Sequence, residues 1–352
     1  MIITNTEQTL KIQFLPVGNA DAIHLRFLDK EHNWRNILVD GGFRQTYRKV
    51  IRPLLETILH AGECIDLWVL THWDNDHIEG AVEFFCTDTF PEKGFVREFW
   101  FNANYRIYKE PASGFTGIKE GVLLRNYLEN VLGIPSPVIT VETPVKTFSG
   151  LKITTLGPEL EIYIKAMSEM QVFAPVGRKE RDYEKRLDDL KFNRFYPDRD
   201  LVNRSSLVLL LEYDGFRVLL LADASPLDLL PRLQRLGFSP ENRLHVDLVK
   251  VAHHGSKKNT SDALLNLLSC QNFVFTADGS DLYKFPDKET IARILQHVPD
   301  RTYPIHLYFN HQNEILENIF AVDGKDVMER YNFKVHFPPV EQNENIICVT
   351  VT

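Results

Sequence analysis

Residues 71–77 read THWDNDH and directly follow the apolar run IDLWVL at 65–70. A short run with no polar alternation reads as a strand covered on both faces. The stretch after it carries two imidazoles, His72 and His77, and two carboxylates, Asp74 and Asp76. Loops at the ends of rigid strands are where sites are built. Both ligand types suit zinc, and manganese accepts them too. On an extended loop, side chains two positions apart point the same way, so His72 and Asp74 can share one ion. Asp76 and His77, on the turn into the following helix, can reach a second. The blander reading, a helix cap with exposed polar neighbours, suits one isolated His or Asp better than four such groups behind a buried strand.

The pattern recurs along the chain. Asp40 follows a strand expected at 36–39, Asp223 follows one at 216–221 in LLLADAS, and His253-His254 follow one at 246–251. Asp223 could simply cap the helix that begins near Ser225; its sharper role is to bridge two ions. Of the two histidines, one would complete a metal site and the other would lie behind it or touch substrate. Further strands are expected at 11–15, 22–27, 97–101, 151–156, 206–212 and 273–276. Helices are expected at 52–60, 78–85, 120–132, 225–236, 260–268 and 287–298, the last capped by Asp287. Asp214-Gly215 is a hairpin turn signal. Each half thus has strands, a metal-type residue at a strand end, then a helix, which predicts a sandwich of two β-rich halves flanked by helices. Residues 178–194, RKERDYEKRLDDLKFNR, are dense in charge of both signs. They read as a solvated helix or mobile insertion, with a substrate-gripping lid as the alternative.

The net charge of −8 over 352 residues excludes a nonspecific coat for duplex DNA, which leans on clustered Lys and Arg. It leaves room for a nucleic acid held in a local groove through metal. The N-terminus lacks a basic segment followed by an apolar one, and no apolar run is long enough to span a bilayer. A cytoplasmic protein with no membrane partner is therefore expected. The four cysteines are scattered without CxxC spacing, so reduced thiols are expected.

Six segments stand in a telling order: PVGNADA (16–22), LVDGG (38–42), THWDNDHIEG (71–80), NRSSLV (203–208), LLLAD (219–223) and KVAHHGS (250–256). In this the chain resembles the metallo-β-lactamase superfamily, and within it the C-terminal hydrolase domain of ComEC-type competence proteins. The resemblance implies an α+β fold, an αββα sandwich of two mixed sheets flanked by helices. It would form a single domain over residues 1–352, with a variable insertion around 90–200 and a C-terminal extension around 302–352. Two divalent metal ions, Zn2+ or Mn2+, are implied. His72 and Asp74 would hold the first, Asp76 and His77 the second, Asp223 would bridge, and His253 is the preferred ligand of its pair. Asp40 and Asp21 would orient ligands from behind.

The implied activity is that of a phosphodiesterase or nuclease, with a hydroxide bridging the ions as nucleophile. Asp76 or Asp223 would orient it, and His254 or Lys257 would meet the leaving oxygen or a phosphate. The expected substrate is DNA, RNA or a nucleotide. The alternatives are hydrolysis of a small ester, lactone or thioester, and a metal-stabilised component that docks a protein partner or a second copy of itself. The chain departs from the family pattern at Pro16, at Ala222 and at Phe285, where Asp, Gly and His are usual. No histidine occurs between His77 and His245; Asn203 and Ser206 fall where many members carry one. The first ion is therefore expected in an oxygen-rich, underfilled site that admits manganese.

Overall fold

The computed structural model describes residues 9–90, 93–102, 116–135, 137–168, 181–190, 193–280, 284–297, 302–339 and 347–351. Its strands are, in chain order, β1 (Leu10–Phe14), β2 (Ile23–Leu28), β3 (Trp34–Val39), β4 (Ile65–Leu70), β5 (Phe99–Phe101), β6 (Lys146–Phe148), β7 (Leu151–Gly157) and β8 (Val208–Tyr213). There follow β9 (Phe216–Leu220), β10 (Leu244–His245), β11 (Leu248–Lys250), β12 (Leu268–Ser269), β13 (Asn272–Phe275), β14 (Ile305–Phe309), β15 (Phe333–His336) and β16 (Ile347–Val351). A six-stranded sheet runs β16-β1-β2-β3-β4-β5, an eight-stranded sheet runs β15-β14-β13-β11-β9-β8-β7-β6, and β10 pairs with β12. Both large sheets are mixed: β3, β4 and β5 are parallel, as are β9, β11, β13, β14 and β15, while the remaining pairs are antiparallel.

Three apolar cores separate four layers. Strand β4 shows why. Leu67 and Val69 enter a core shared with Ile12, Phe14, Leu209 and Val218 from both sheets. Trp68 and Leu70, on the opposite face, pack with Ile58, Ile78 and Phe84 of the outer helices. In the second sheet Leu219, Val249 and Phe275 pack outward with Leu233 and Ile294, while Val218, Leu248 and Val274 face the first sheet. A strand buried on both faces has no polar face to alternate, as IDLWVL announced. The α+β sandwich of helices, sheet, sheet and helices is the expected fold class.

Parallel neighbours end on the same edge. The residues after β3 and β4, and those after β9, β11 and β13, are therefore brought to one rim of the sandwich. The two sheets are tied at this rim where Leu207 N donates to Thr71 O at 2.9 Å, and within the first sheet Asp21 N donates to Asp76 O at 3.2 Å. The helix Asn75–Val82 sits directly on the loop after β3. Gly41 N donates to His77 O and Gly80 N to Gly42 O, at 2.8 and 3.0 Å.

Several local expectations change. The helix expected at 78–85 starts at Asn75, inside the motif itself. The 178–194 segment, in its described part, is solvated on one side only: Glu184, Lys185, Arg186 and Asp189 are exposed, while Tyr183, Leu187 and Leu190 enter the outer core of the second sheet. Asp182 accepts from the amides of Lys288 and Glu289 at 2.9 Å each and so caps the helix Lys288–His297, the role expected of Asp287. Asp287, directly before that helix, accepts from Lys257 N at 2.7 Å. Residues 178–180 and 191–192 lie outside the described residues. The stretch at 90–200 supplies β5, β6 and β7, and that at 302–352 supplies β14, β15 and β16, so both contribute strands to the sheets. Among the described residues no helix is long and apolar enough to cross a membrane.

A Cβ on Gly80 would stand 1.9 Å from Gly41 O. Gly80→Ala must push the helix off the loop that carries Asp40, and it should lower stability by about 3 kcal/mol. Urea unfolding reads this as a lower midpoint at unchanged slope; an unchanged midpoint would contradict the close approach.

Candidate metal centre

Thr71 ends β4 with its amide and hydroxyl both donating to Asp40, at 2.8 Å to Oδ1 and 2.9 Å to Oδ2. Asp40 Oδ2 also lies 2.8 Å from His77 Nδ1. That contact fixes the ring with Nε2 pointing inward, 3.6 Å from Asp76 Oδ2 and 3.5 Å from Asp223 Oδ1. His254 comes from the other half. Its Nδ1 donates to the Thr276 carbonyl at 2.9 Å, and its Nε2 lies 3.0 Å from Asp76 Oδ2 and 4.0 Å from Asp223 Oδ1. Asp76, His77, Asp223 and His254 thus present ligand atoms that all lie within 4.8 Å of one another.

A second group gathers on the other oxygen of Asp223. His72 Nε2 lies 3.6 Å from Asp74 Oδ2 and 3.9 Å from Asp223 Oδ2. His253 Nε2 lies 3.5 Å from that same Asp223 oxygen, and its Nδ1 lies 3.4 Å from Asp198 Oδ2. Asp198 further accepts from Asn203 Nδ2 at 2.8 Å, Asn259 Nδ2 at 3.1 Å and the Asp200 amide at 3.0 Å. Asp198 is thus to His253 what Asp40 is to His77.

The charges are consistent with this arrangement. Burial alone would raise the Asp223 carboxyl; His253, His77 and His254 outweigh it and hold the group well below its ordinary range. Burial would equally lower His77, but Asp223, Asp40 and Asp76 raise it well above the ordinary imidazole value. His254 is pushed to about 9: burial opposes this, and Asp223 and Asp21 overcome it. Behind the cluster Lys250, fully buried, pairs with Asp21, which also accepts from Thr276 Oγ1 at 2.6 Å. Asp21 Oδ1 is 3.4 Å from His254 Nδ1. Lys250 and Asp21 therefore brace the rim of one sheet against the other.

Nε2 of His72, Nε2 of His77 and Oδ1 of Asp223 are buried without a hydrogen-bond partner. Buried polar atoms are otherwise paired, so three orphans facing one another call for a cation. A set of imidazole nitrogens and carboxylate oxygens suits a divalent metal.

The capping roles weighed for the aspartates are taken otherwise. Asp74 occupies the N-cap position of its helix but makes no side-chain cap bond. The helix after Asp223 is capped by Ser225, whose side chain accepts from Leu227 N. The two adjacent histidines do not stand one in front of the other. With φ of 48° and 53°, both are left-handed, and their ring planes differ by 80°. Each faces a different oxygen of Asp223, so the group around His72 contains two imidazoles rather than one.

Asn203 Nδ2 donates to Asp198 at 2.8 Å and also lies 3.4 Å from His253 Nδ1, so it backs that ring together with Asp198. Ser206 is fully buried, its hydroxyl without a partner. Lys257 turns its ammonium to Glu289, 3.6 Å away. Phe285 lies against both histidines, its ring centroid 5.1 Å from that of His253 and 6.1 Å from that of His254. Asp198, Lys250, Thr276 and Asn259 escaped the sequence reading. Asp198 sits in YPDRD, which looks like any charged loop; Lys250 lies in a strand, where a lysine suggests an exposed face.

No family model matches this chain. No curated protein matches it either. Among solved structures it is similar to "CmlA beta-hydroxylase E377D mutant", at 14% identity and a TM-score of 0.40, over 99% of this chain and 55% of that one. The chain thus spans about half the length of that relative. It is similar to "Crystal Structure of a New Diphosphatase from the PhnP Family" at 10% identity and a TM-score of 0.38, over 94% and 84% of the two chains. It is also similar to "Metallo-beta-lactamase from Pontibacter korlensis" at 12% identity and a TM-score of 0.29, over 67% and 84%. At these values the likeness says nothing of activity, and the layered architecture is read from this chain's own strand order.

Carboxylates behind ligating imidazoles fix ring and tautomer, and their loss costs about 10–100-fold in metal affinity. Asp198→Asn should therefore weaken binding of Zn2+ or Mn2+ in a calorimetric titration by that factor. Unchanged affinity would remove Asp198 from the centre.

Proposed function

We propose that this chain is a metal-dependent hydrolase of the metallo-β-lactamase superfamily that cleaves phosphodiester bonds in a nucleic acid or nucleotide. One observation carries the reading: the buried carboxylate of Asp223 offers one oxygen to His77 and His254 and the other to His72 and His253. A shared carboxylate between two His/Asp groups is the arrangement a two-ion centre needs. The motif order, with Asp74 where many superfamily members have His, supports the phosphodiesterase branch.

In this proposal His72, Asp74, Asp223 and His253 hold one ion, and Asp76, His77, Asp223 and His254 the other, Zn2+ or Mn2+. Bound there, such ions supply Lewis acidity toward a phosphoryl oxygen and make a water acidic enough to attack at neutral pH. The chain's own work is positioning. Asp40 and Asp198 hold the rings of His77 and His253 with Nε2 turned to the substrate side. Lys250, through Asp21, holds His254. Asp76, whose side chain is 21% exposed, is the carboxylate placed to orient the attacking water and take its proton. His254 passes here from leaving-group contact to ligand. Lys257, paired with Glu289, is not assigned a phosphate.

A second reading, hydrolysis of a small ester, lactone or thioester, requires an enclosed substrate. The side chains of Asp74 and His253 are 44% and 23% exposed, so the centre opens at its edge and favours the larger substrate.

The test is hydrolysis of single-stranded oligonucleotides and cyclic dinucleotides by the chain loaded with Mn2+ or Zn2+. Asp76→Ala and Asp223→Ala should each lower turnover by about 10²-fold or more. No turnover of any phosphodiester with either metal, or turnover that survives both substitutions, would overturn the reading.

A further inference from the structure

Beside the open edge of the centre runs the loop at 193–200, NRFYPDRD, which carries Asp198. The loop is anchored along its length. Asn193 Nδ2 donates to Glu289 Oε2 at 2.8 Å, the Phe195 ring lies 5.0 Å from the Arg293 guanidinium, and Ser225 Oγ donates to Asp198 O at 2.7 Å. Asp198 N donates to Lys258 O at 2.9 Å, which joins the loop to the segment after His254. Asp198 Oδ2 lies 3.4 Å from His253 Nδ1, so this end of the loop runs against the centre.

Between these anchors Tyr196 is 65% exposed. A large aromatic left in water on a mobile tail needs no explanation; one presented by a pinned loop beside a reaction centre has a surface to offer. Arg194 stands 5.5 Å from the Tyr196 ring, and Arg194, Arg199 and Lys258 are all exposed. The two carboxylates of the loop, Asp198 and Asp200, are buried and half-buried, so the charges it shows to solvent are cationic, in a chain whose net charge is −8. A flat exposed ring among cations matches a ligand with a free π-face joined to phosphate, and proteins that track single strands combine these two features.

We propose that Tyr196, with Arg194, Arg199 and Lys258, forms a subsite that stacks one unpaired base next to the scissile phosphate and holds the adjoining phosphates. This rests on the phosphodiesterase reading for its purpose, but its binding can be measured without turnover. The loop lies on the His253 side of the centre, so the subsite takes the base on that side. An acidic peptide, which has phosphate-like charge but no base, is the competing occupant that the measurement separates.

The experiment uses the full chain loaded with Mn2+ and fluorescence anisotropy with three probes: a phosphorothioate tetrathymidylate, the same tetramer with abasic sites, and a polyglutamate of equal charge. The wild type should prefer the tetrathymidylate over the abasic probe. Tyr196→Ala should weaken the tetrathymidylate about tenfold while leaving the abasic probe unchanged, and Tyr196→Phe should restore it. Arg199→Glu with Lys258→Glu should weaken both nucleic-acid probes and flatten their salt dependence. Equal wild-type affinity for all three probes, no binding, or a Tyr196→Ala chain that keeps its base preference would overturn the subsite. Base-dependent binding without hydrolysis of any diester would overturn the phosphodiesterase reading and leave the subsite standing.

Discussion

Asp223 is the constraint on which the rest of the molecule turns. It is 1% exposed, yet its surroundings keep it charged. Asp21 and Asp40 are buried beside it, and Asp76 is close by. Taking one carboxylate out of water costs several kcal/mol unless it is compensated, and several together repel one another. Without ions the compensation comes from His253, His77 and His254 and from the buried ammonium of Lys250; in our reading two divalent ions take over the part of the imidazoles when bound. Neither sheet could supply it alone. His72, Asp74, Asp76 and His77 ride on the first sheet; Asp223, Lys250, His253 and His254 ride on the second. The centre thus ties its own existence to correct stacking of the sandwich.

The backbone at the rim is bent to this purpose. Asp40, Ala222, His253 and His254 have φ between 46° and 60°, a region that side-chain-bearing residues seldom adopt. Four such residues at the strand ends around one cluster store strain that the surrounding hydrogen bonds must hold. His253 N, for one, donates to Ala222 O at 2.8 Å, which links two of these turns. At Ala222, with φ of 46°, a Gly would carry no such strain.

Much of this was legible because strand burial and strand ends leave strong marks. IDLWVL announced a strand covered twice, and the residues that follow such strands are the ones that meet at the rim. Asp214-Gly215, with φ of 47° and 83°, forms the hairpin between β8 and β9 as the dipeptide suggested. What escaped were relations between distant segments. Asp198 becomes meaningful only when folding brings it to His253, and Asp182 only when it reaches the amides at 288 and 289. The charge density at 178–194 marked the solvated side of that segment and hid its other side, where Tyr183, Leu187 and Leu190 pack on the second sheet. The His253-His254 pair belongs here too: left-handed φ angles, which no side-chain pattern encodes, turn the two rings to different oxygens of Asp223.

The central claim is that two groups of ligands share Asp223 and hold two ions together. The most direct measurement is calorimetric titration of the metal-free chain with Mn2+ or Zn2+, alongside Asp223→Ala. The account predicts two ions per chain, with both binding events weakened by that one substitution. Two ions of which only one is sensitive to Asp223, or a chain that binds none, would contradict it.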